Sequence, residues 1–378
     1  MSCHRTPRIK RILFIDISDE FGGGEVYLDH LVQLLDDYGE LFALCSLPAV
    51  SERLNKHKIR VLHFPLMAGL LKGPRFILAA LVLPAILLWH RIDTIHINGS
   101  AEALLLGVGR LFGRRVISTR HLTFEMEAKH WWQAPGRFAG RFLYRACGRF
   151  AHQIVCVSDP VGNDVRKIAD PSKVVVIRNW LPAIKAREVP EEFHDPIRVL
   201  CIGRLIEYKG VYLAIDALRH FPKTRLTIVG IGPDQARLER LATGMDVIFA
   251  GFQHDTQKFY EDNDIFIMPS LGPEGLPLVS LEGMANALPC ILSDLPVHRD
   301  ITRDGEAALL FRSGDAGDLA AKLRFLIEDK DARKRYAIRG RQMYLEGYSE
   351  DVVRERYLAI FGLSAQVRMR TIHPRQSG

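Results

Sequence analysis

Several features that would place a chain at a glance are missing. The six cysteines (Cys3, Cys45, Cys147, Cys156, Cys201, Cys290) form no CxxC pair and join no histidines at zinc spacing. That spacing argues against a structural zinc site, and reduced, mostly buried thiols of a cytosolic protein are the simplest reading. No apolar run reaches the roughly 20 residues of a spanning helix. The greasiest stretch, Phe76–Trp89, is 14 residues long and contains Pro84. The opening MSCHRTPRIKR leads straight into ILFIDIS with no apolar h-region and small-residue cleavage site, so no signal peptide is expected. Neither the dinucleotide fingerprint G-x-G-x-x-G nor a Gly-Lys-Ser/Thr phosphate loop occurs.

What is present is globular. The chain has 378 residues, 48% hydrophobic and 25% charged, which is too long for one ordinary core and predicts two domains. The formal net charge of +7 and pI near 9.1 fit anionic ligands, an anionic membrane surface or nucleic acid, and choose among none of them. Phe76–Trp89, flanked by Lys72, Arg75, His90 and Arg91, reads either as a helix buried against a sheet or as a surface dipping into a membrane interface.

Short apolar runs alternate with amphipathic segments. Strands are expected at Arg11–Ile17, Leu41–Ser46, Val61–Phe64, Thr94–Ile97, Arg115–Ser118, Gln153–Val157 and Val174–Ile177. Helices fit Glu25–Tyr38, Phe76–Trp89, Ala101–Leu111, Arg137–Phe150 and Pro160–Ile168. After an irregular, Pro-rich stretch the alternation restarts at Ile197. Strands follow at Arg225–Val229, Val247–Ala250, Ile265–Met268, Pro289–Ser293 and Ala308–Phe311. Helices follow at Val211–Leu218, Pro233–Leu241, Thr256–Asp262, Pro277–Ala287, Ala316–Ile327 and Asp331–Tyr344. Strand-then-helix alternation predicts an α/β protein with parallel sheets covered on both faces. The expected divisions are a first domain 1–180, a linker 181–196, a second domain 197–348, a helix 349–364 capped by Ser349, and a disordered basic tail 365–378. Ligands of such sheets bind beyond the strands' carboxyl ends, so polar motifs just after strands are the candidates.

Gly22, Gly23 and Gly24 follow the first strand and precede a helix. A helix N-terminus reached through glycines can hold an anion, although a plain tight turn has the same pattern. Arg204 and Lys209 in GRLIEYKG follow the first strand of the second domain; a planar fork and a mobile ammonium suit a diphosphate. Glu274 and Glu282, with seven residues between them, follow the strand DIFIMPS. Pro277 is expected in the first turn of the next helix, with the amides of Gly275 and Leu276 forming an anion nest. A carboxylate beside phosphates needs a reason, and vicinal hydroxyls or a sugar ring gaining positive charge supply it. His121, ending the strand RVIST, can hydrogen-bond a substrate hydroxyl; His96 is its rival in the same sheet.

In order, FGGGE, TRHLTFE, VCVSDPVGNDV, VVVIRNWLP, GRLIEYKG, LTIVGIGPD, IFAGF, DIFIMPS and EGLPLVSLE resemble the GT-B retaining glycosyltransferases of family 4, over nearly the whole chain. The resemblance implies two Rossmann-like domains facing a central cleft. It implies that Arg204 and Lys209 bind the donor pyrophosphate, that Glu282 holds the ribose, and that Glu274 contacts the donor sugar with Gly275 and Leu276 lining its pocket. Gly23 and Gly24 match the family's glycine loop, and His121 its histidine near the sugar's C6 hydroxyl. SDLPVHRD, with Ser293, Asp294 and Asp300, departs from the usual Gly-Gly pattern, and Trp180 stands where a small residue is common.

The implied reaction is metal-independent, retaining transfer of a hexose from a nucleotide-diphosphate sugar to a glycan or polyprenyl-diphosphate-linked acceptor, in bacterial surface polysaccharide synthesis. No cofactor and no nucleic acid are expected. DND at Asp262–Asp264 reads as a turn rather than a metal motif. Arginines from Arg110 to Arg149, with Trp131, Trp132 and Phe138 interleaved, read either as a solvated helix face or as an anionic-lipid surface. Such a surface would make a cytoplasmic enzyme peripheral on the inner face of the membrane. The alternatives are a nucleotide-sugar epimerase of the same fold, a glycoside hydrolase, and a non-catalytic nucleotide-sugar or nucleic-acid binding protein.

Overall fold

The computed structural model describes residues 9–18, 21–63, 72–99, 103–123, 145, 148–182, 187–272 and 274–364. It divides into two compact units: one runs to Pro182 and resumes at Glu350, the other spans Ala183–Ser349.

The first unit is built on a seven-stranded parallel sheet. Its strands are β1 (Arg11–Asp16), β2 (Glu40–Cys45), β3 (Ile59–His63), β4 (Thr94–Asn98), β5 (Arg115–Arg120), β6 (Gln153–Cys156) and β7 (Val174–Val176), in the order β3-β2-β1-β4-β5-β6-β7. The helices α1 (Gly23–Leu35), α2 (Pro48–Leu54), α3 (Lys72–Trp89), α4 (Ala103–Leu111) and α5 (Asp159–Arg166) lie between them. β1 and β4 are buried along almost their whole length, as strands covered on both faces must be. Leu13, Ile15, Ile95 and Ile97 form one core with Leu83 and Leu87 of α3 and Leu105 of α4.

The second unit carries β8 (Arg198–Ile202), α6 (Val211–Leu218), β9 (Arg225–Val229), α7 (Gln235–Leu241), β10 (Val247–Phe249), α8 (Gln257–Glu261), β11 (Ile265–Met268), α9 (Leu278–Ala285), β12 (Cys290–Ser293), α10 (Pro296–Thr302), β13 (Leu309–Phe311), α11 (Ala316–Glu328) and α12 (Lys330–Gly347). Its six-stranded parallel sheet runs β10-β9-β8-β11-β12-β13. The last helix, α13 (Glu350–Phe361), belongs to the first unit. There Tyr357 bonds Tyr27 and stacks with buried Trp180, ring centroids 4.7 Å apart. Trp180 thus fills the seam between α1 and α13, which accounts for a large side chain at that position.

Each sheet has one topological switch point, where the strand order reverses its direction of growth: β1/β4 in the first unit and β8/β11 in the second. Parallel sheets place ligands beyond the carboxyl ends of such strands.

Some expected boundaries shift. α1 starts at Gly23, not Glu25, so Gly23 and Gly24 are its first turn rather than the loop before it. α3 begins at Lys72 and carries Pro84 in its interior; packing of Ala79, Leu83, Ile86 and Leu87 into the core outweighs the one lost backbone bond. Pro277 is the N-cap of α9, and the helix ends at Ala285 because Ala287 takes φ +54°. Ser349 does not cap α13; its hydroxyl donates back to Leu345 O of α12 at 3.2 Å. Cys45, Cys156, Cys201 and Cys290 are buried free thiols. The helix expected over Arg137–Phe150, with Trp131, Trp132 and Phe138, lies largely outside the described residues, as do Cys3, Cys147 and the basic tail.

Candidate functional site

In the second unit, β8 leads through Gly203 and Arg204 into a single 3-10 turn, Glu207–Lys209, and then α6. Gly210, between turn and helix, has φ +65°, and a Cβ there would stand 2.1 Å from Pro269 O. Only glycine permits that approach, and it seats the turn against the end of β11. Tyr208 O then accepts from Leu271 N at 2.7 Å and Gly272 N at 3.3 Å. The turn and the loop after β11 are thus strapped together across the switch point.

This strapping brings Lys209 to Glu274. Nζ lies 2.7 Å from Oε1, and Ser270 Oγ donates to the same oxygen at 2.8 Å. Both side chains of the ion pair are largely shielded, at 16% and 10% exposure. Attraction in so shielded a pair is offset by the cost of removing both charges from water, so the pair fixes geometry more than it adds stability. Three donors on an ammonium leave two for an anionic ligand. Arg204 Nη2 donates to Tyr208 Oη at 3.0 Å, which holds the guanidinium at the carboxyl end of β8. The N-cap Pro277 and the residues before it, Gly275 and Leu276, lead into α9, whose N-terminus opens at the same strand end. On α9, Glu282 Oε2 accepts from Tyr260 Oη at 2.7 Å. Tyr260 is fully buried, and burial, then the Glu282 charge, push its phenol well above the ordinary range.

Of the residues in SDLPVHRD, Asp294 accepts from Ser313 N at 2.9 Å and from Arg299 at 3.1 Å, a structural assignment. His298 had no expected role. It is buried, its Nδ1 donates to Ser293 O at 2.7 Å, and burial pulls its pKa down to about 4. The charges of Glu274 and Lys209 both act on it, so a neutral imidazole underlies their loop. Asp264 of the DND turn is buried and accepts from Arg198 N at 2.8 Å and His194 N at 3.2 Å; it pins the start of β8.

In the first unit the switch point holds a second polar cluster. Asp16 ends β1, Asn98 ends β4 and His121 follows β5. Asn98 Nδ2 donates to Asp16 Oδ2 at 2.8 Å and to Gly24 O at 3.0 Å, while Asn98 Oδ1 faces His121 Nε2 at 2.8 Å. A Cβ on Gly24 would stand 3.5 Å from the His121 ring, and Tyr27 packs edge-on against that ring. Burial, then neighbouring Arg120, lower the His121 pKa to about 3. Asp16 is raised, chiefly by burial. Glu25 is raised to about 7 by burial and by the Asp16 charge, and its Oε2 accepts from Gly22 N at 2.6 Å. The glycine-loop amide expected to meet a ligand anion therefore already holds the chain's own carboxyl group. His96, the rival histidine, is a core residue: fully buried, bonded through Nε2 to Thr119 Oγ1 at 2.8 Å, between Phe14 and Phe361.

The sequence reading missed Asp16, Asn98, Glu25, Tyr260, Ser270 and His298. For Asp16 and Asn98 a signal existed, since each is a polar residue closing an otherwise apolar strand. A surface groove of about 480 Å³, lined by Ile9, Glu40, His57 and Arg60 among others, opens at the amino ends of β1–β3, the wrong end of a parallel sheet for a ligand.

Residues 183–343 match the family model of glycosyl transferases group 1, and residues 21–183 that of Glycosyltransferase Family 4. The chain is 29% identical over 216 residues to the lipopolysaccharide core biosynthesis glycosyltransferase LpsE of Rhizobium meliloti, covering 55% of this chain and 63% of that one. It is 28% identical over 245 residues to the N,N'-diacetylbacillosaminyl-diphospho-undecaprenol alpha-1,3-N-acetylgalactosaminyltransferase of Campylobacter jejuni, covering 60% and 64%. These matches span less than two thirds of either relative. Among solved structures, HepE of Anabaena in complex with UDP and glucose superposes with a TM-score of 0.78 at 20% identity, covering 93% of this chain and 99% of that one. That likeness gives the GT-B fold.

Proposed function

The chain belongs to the glycosyltransferases of group 1 and family 4, and on that footing we propose that it moves a hexose from a nucleoside-diphosphate sugar to a hydroxyl of a glycan or lipid-linked acceptor. The observation that carries this reading is the strapped loop pair holding Lys209, Glu274 and Ser270 together beside Arg204 at the β8/β11 switch point. Two cations fixed where a nucleotide's phosphates would lie suit departure of a diphosphate. The relatives named for lipopolysaccharide core biosynthesis and for a diphospho-undecaprenol-linked sugar support surface-polysaccharide assembly.

In this scheme the bond from the sugar's anomeric carbon to the diphosphate oxygen breaks, and its electron pair goes to that oxygen. Arg204 and Lys209 stabilise the developing charge, a term worth about 3–4 kcal/mol per well-placed donor. The acceptor oxygen bonds the same carbon on the same face, and its proton passes to the departing phosphate, so configuration is retained. Glu282 accepts from the ribose hydroxyls, and Tyr260 orients it. Glu274 orders Lys209 and contacts the sugar together with the amides of Gly275 and Leu276. His121 offers a substrate hydroxyl an acceptor nitrogen, and Gly23 and Gly24 let a ligand come close to the backbone. No divalent ion has a step, because the two side chains carry the positive charge at the leaving group. The test is slow hydrolysis of a panel of UDP-, GDP- and ADP-sugars with and without EDTA. One donor hydrolysed in both conditions is expected; no nucleoside diphosphate from any donor, or conversion to an epimer instead, overturns the assignment.

A further inference from the structure

α3 is apolar on two opposite faces. Ala79, Leu83, Ile86 and Leu87 point into the core of the first unit. Ile77, Leu81, Pro84 and Leu88, spaced i, i+4, i+7 and i+11, fall within about 60° of one another at 100° per residue. Of these, Ile77, Leu81 and Leu88 are exposed, Leu81 at 72%, and Trp89 at the helix end is 85% exposed. α3 packs on α4, whose end adds Leu111, 84% exposed, and Phe112. A helix that is apolar all round is ordinarily buried on all sides, and an exposed apolar surface of this extent marks a contact with something outside the chain.

Charge selects the partner. From Arg53 to Ile92 the chain has seven lysines and arginines and no acidic residue, and from Ala103 to Phe124 it again has none. Arg91, Arg110 and Arg149 are exposed beside the ends of α3, α4 and the segment entering β6. Phe150, next to Arg149, lies against α4, where a Cβ on Gly107 would stand 3.7 Å from its ring. No helix of the described residues is long and apolar enough to cross a membrane.

We propose that the outer face of α3, with the end of α4, docks in the interfacial layer of an anionic phospholipid bilayer. Ile77, Leu81 and Leu88 enter the acyl boundary, Trp89 sits at headgroup level, and Arg91, Arg110 and Arg149 meet the lipid phosphates. The helix lies in the plane of the surface. None of these residues is among those assigned to the donor site, so failure of the docking and failure of the proposed activity are distinguishable.

The test is sedimentation of the full chain with vesicles of phosphatidylcholine alone or mixed equally with phosphatidylglycerol. Binding to the mixed vesicles about tenfold tighter than to the neutral ones, weakened by added salt, is expected. Leu81→Glu and, separately, Leu88→Glu should each cut that binding at least about tenfold with unchanged melting temperature and donor hydrolysis. Trp89→Ala, a truncation with no new charge, should weaken it less. No binding to mixed vesicles, or wild-type binding by both glutamate variants, overturns the proposal. So does a wild-type dimer in sedimentation velocity that Leu81→Glu splits, because the face is then an interface between two copies of this chain.

Discussion

His121 Nε2 stands 2.8 Å from Asn98 Oδ1, and the far side of the same amide sets the direction of that hydrogen bond. Asn98 Nδ2 faces the Asp16 carboxyl oxygen and the Gly24 carbonyl. A flipped amide would set an oxygen against both. Oδ1 therefore faces the imidazole, Nε2 carries the proton and donates, and Nδ1 is left with its lone pair. With its pKa lowered to about 3, the ring stays neutral at physiological pH and offers an acceptor, not a cation. Among the described residues Nδ1 has no hydrogen-bond partner.

Asn98→Ala should release the ring and lower kcat about tenfold, the scale of one lost hydrogen bond, with donor KM little changed. In that background His121→Ala should cost less than it does alone, because the two act as a unit. A double-mutant cycle on kcat checks this; strict additivity would mean that Asn98 does not work through His121.

Lys209→Ala and Glu282→Ala should differ in kind. Loss of the ammonium at the leaving group should lower kcat about 10²–10³-fold. Loss of the carboxylate should raise the nucleotide Kd about tenfold and leave kcat near wild type. Titration calorimetry with the free nucleoside diphosphate, beside steady-state kinetics, separates the two. Tyr260→Phe should reproduce a milder form of the Glu282 defect, since it removes the 2.7 Å bond that orients that carboxylate.

Glu274 is bound on one oxygen by both Lys209 and Ser270, an arrangement that suits a positioning group better than a covalent nucleophile. Glu274→Ala in the presence of azide should yield no glycosyl azide of inverted configuration, read by mass spectrometry and NMR. Formation of that product would assign Glu274 the nucleophile's part.

Glu25 supplies a pH test of the first unit. Its pKa is raised from 4.5 to about 7, so between those values the folded chain holds a proton that the unfolded chain has released. Its contribution to stability therefore falls as pH rises through that window. Glu25→Gln keeps an acceptor for Gly22 N–H and removes the charge. Its melting temperature should match wild type near pH 4.5 and exceed it progressively up to about pH 7, then hold that lead. A constant offset across the range would contradict the burial argument.

Much of the α/β alternation was legible because each strand is a short apolar run closed by a polar residue or glycine, and each helix carries its own period. The Glu-x7-Glu element, with Arg204 and Lys209, was legible because its spacing is local. Harder to read were ends and partners. Gly23 enters α1 because glycine tolerates the first turn as readily as the loop before it, and α3 starts at Lys72, four residues before the apolar run that marked it. Asn98 looked unremarkable in IHINGS because its three partners come from residues 82, 74 and 23 positions away.

By itself, then, the sequence determined the two parallel-sheet units and the chemical character of the groups at their strand ends, since periodicity and residue type are local properties of the chain. Only the tertiary structure decided which groups meet. Gly210 folds close enough to Pro269 to join Lys209 to Glu274 across 65 residues. The β1/β4 crossover lines Asp16 up with Asn98 and so selects which nitrogen of His121 is bare. Hydrogen bonds depend on distance and direction between residues far apart in the chain, and only the packed sheets set those.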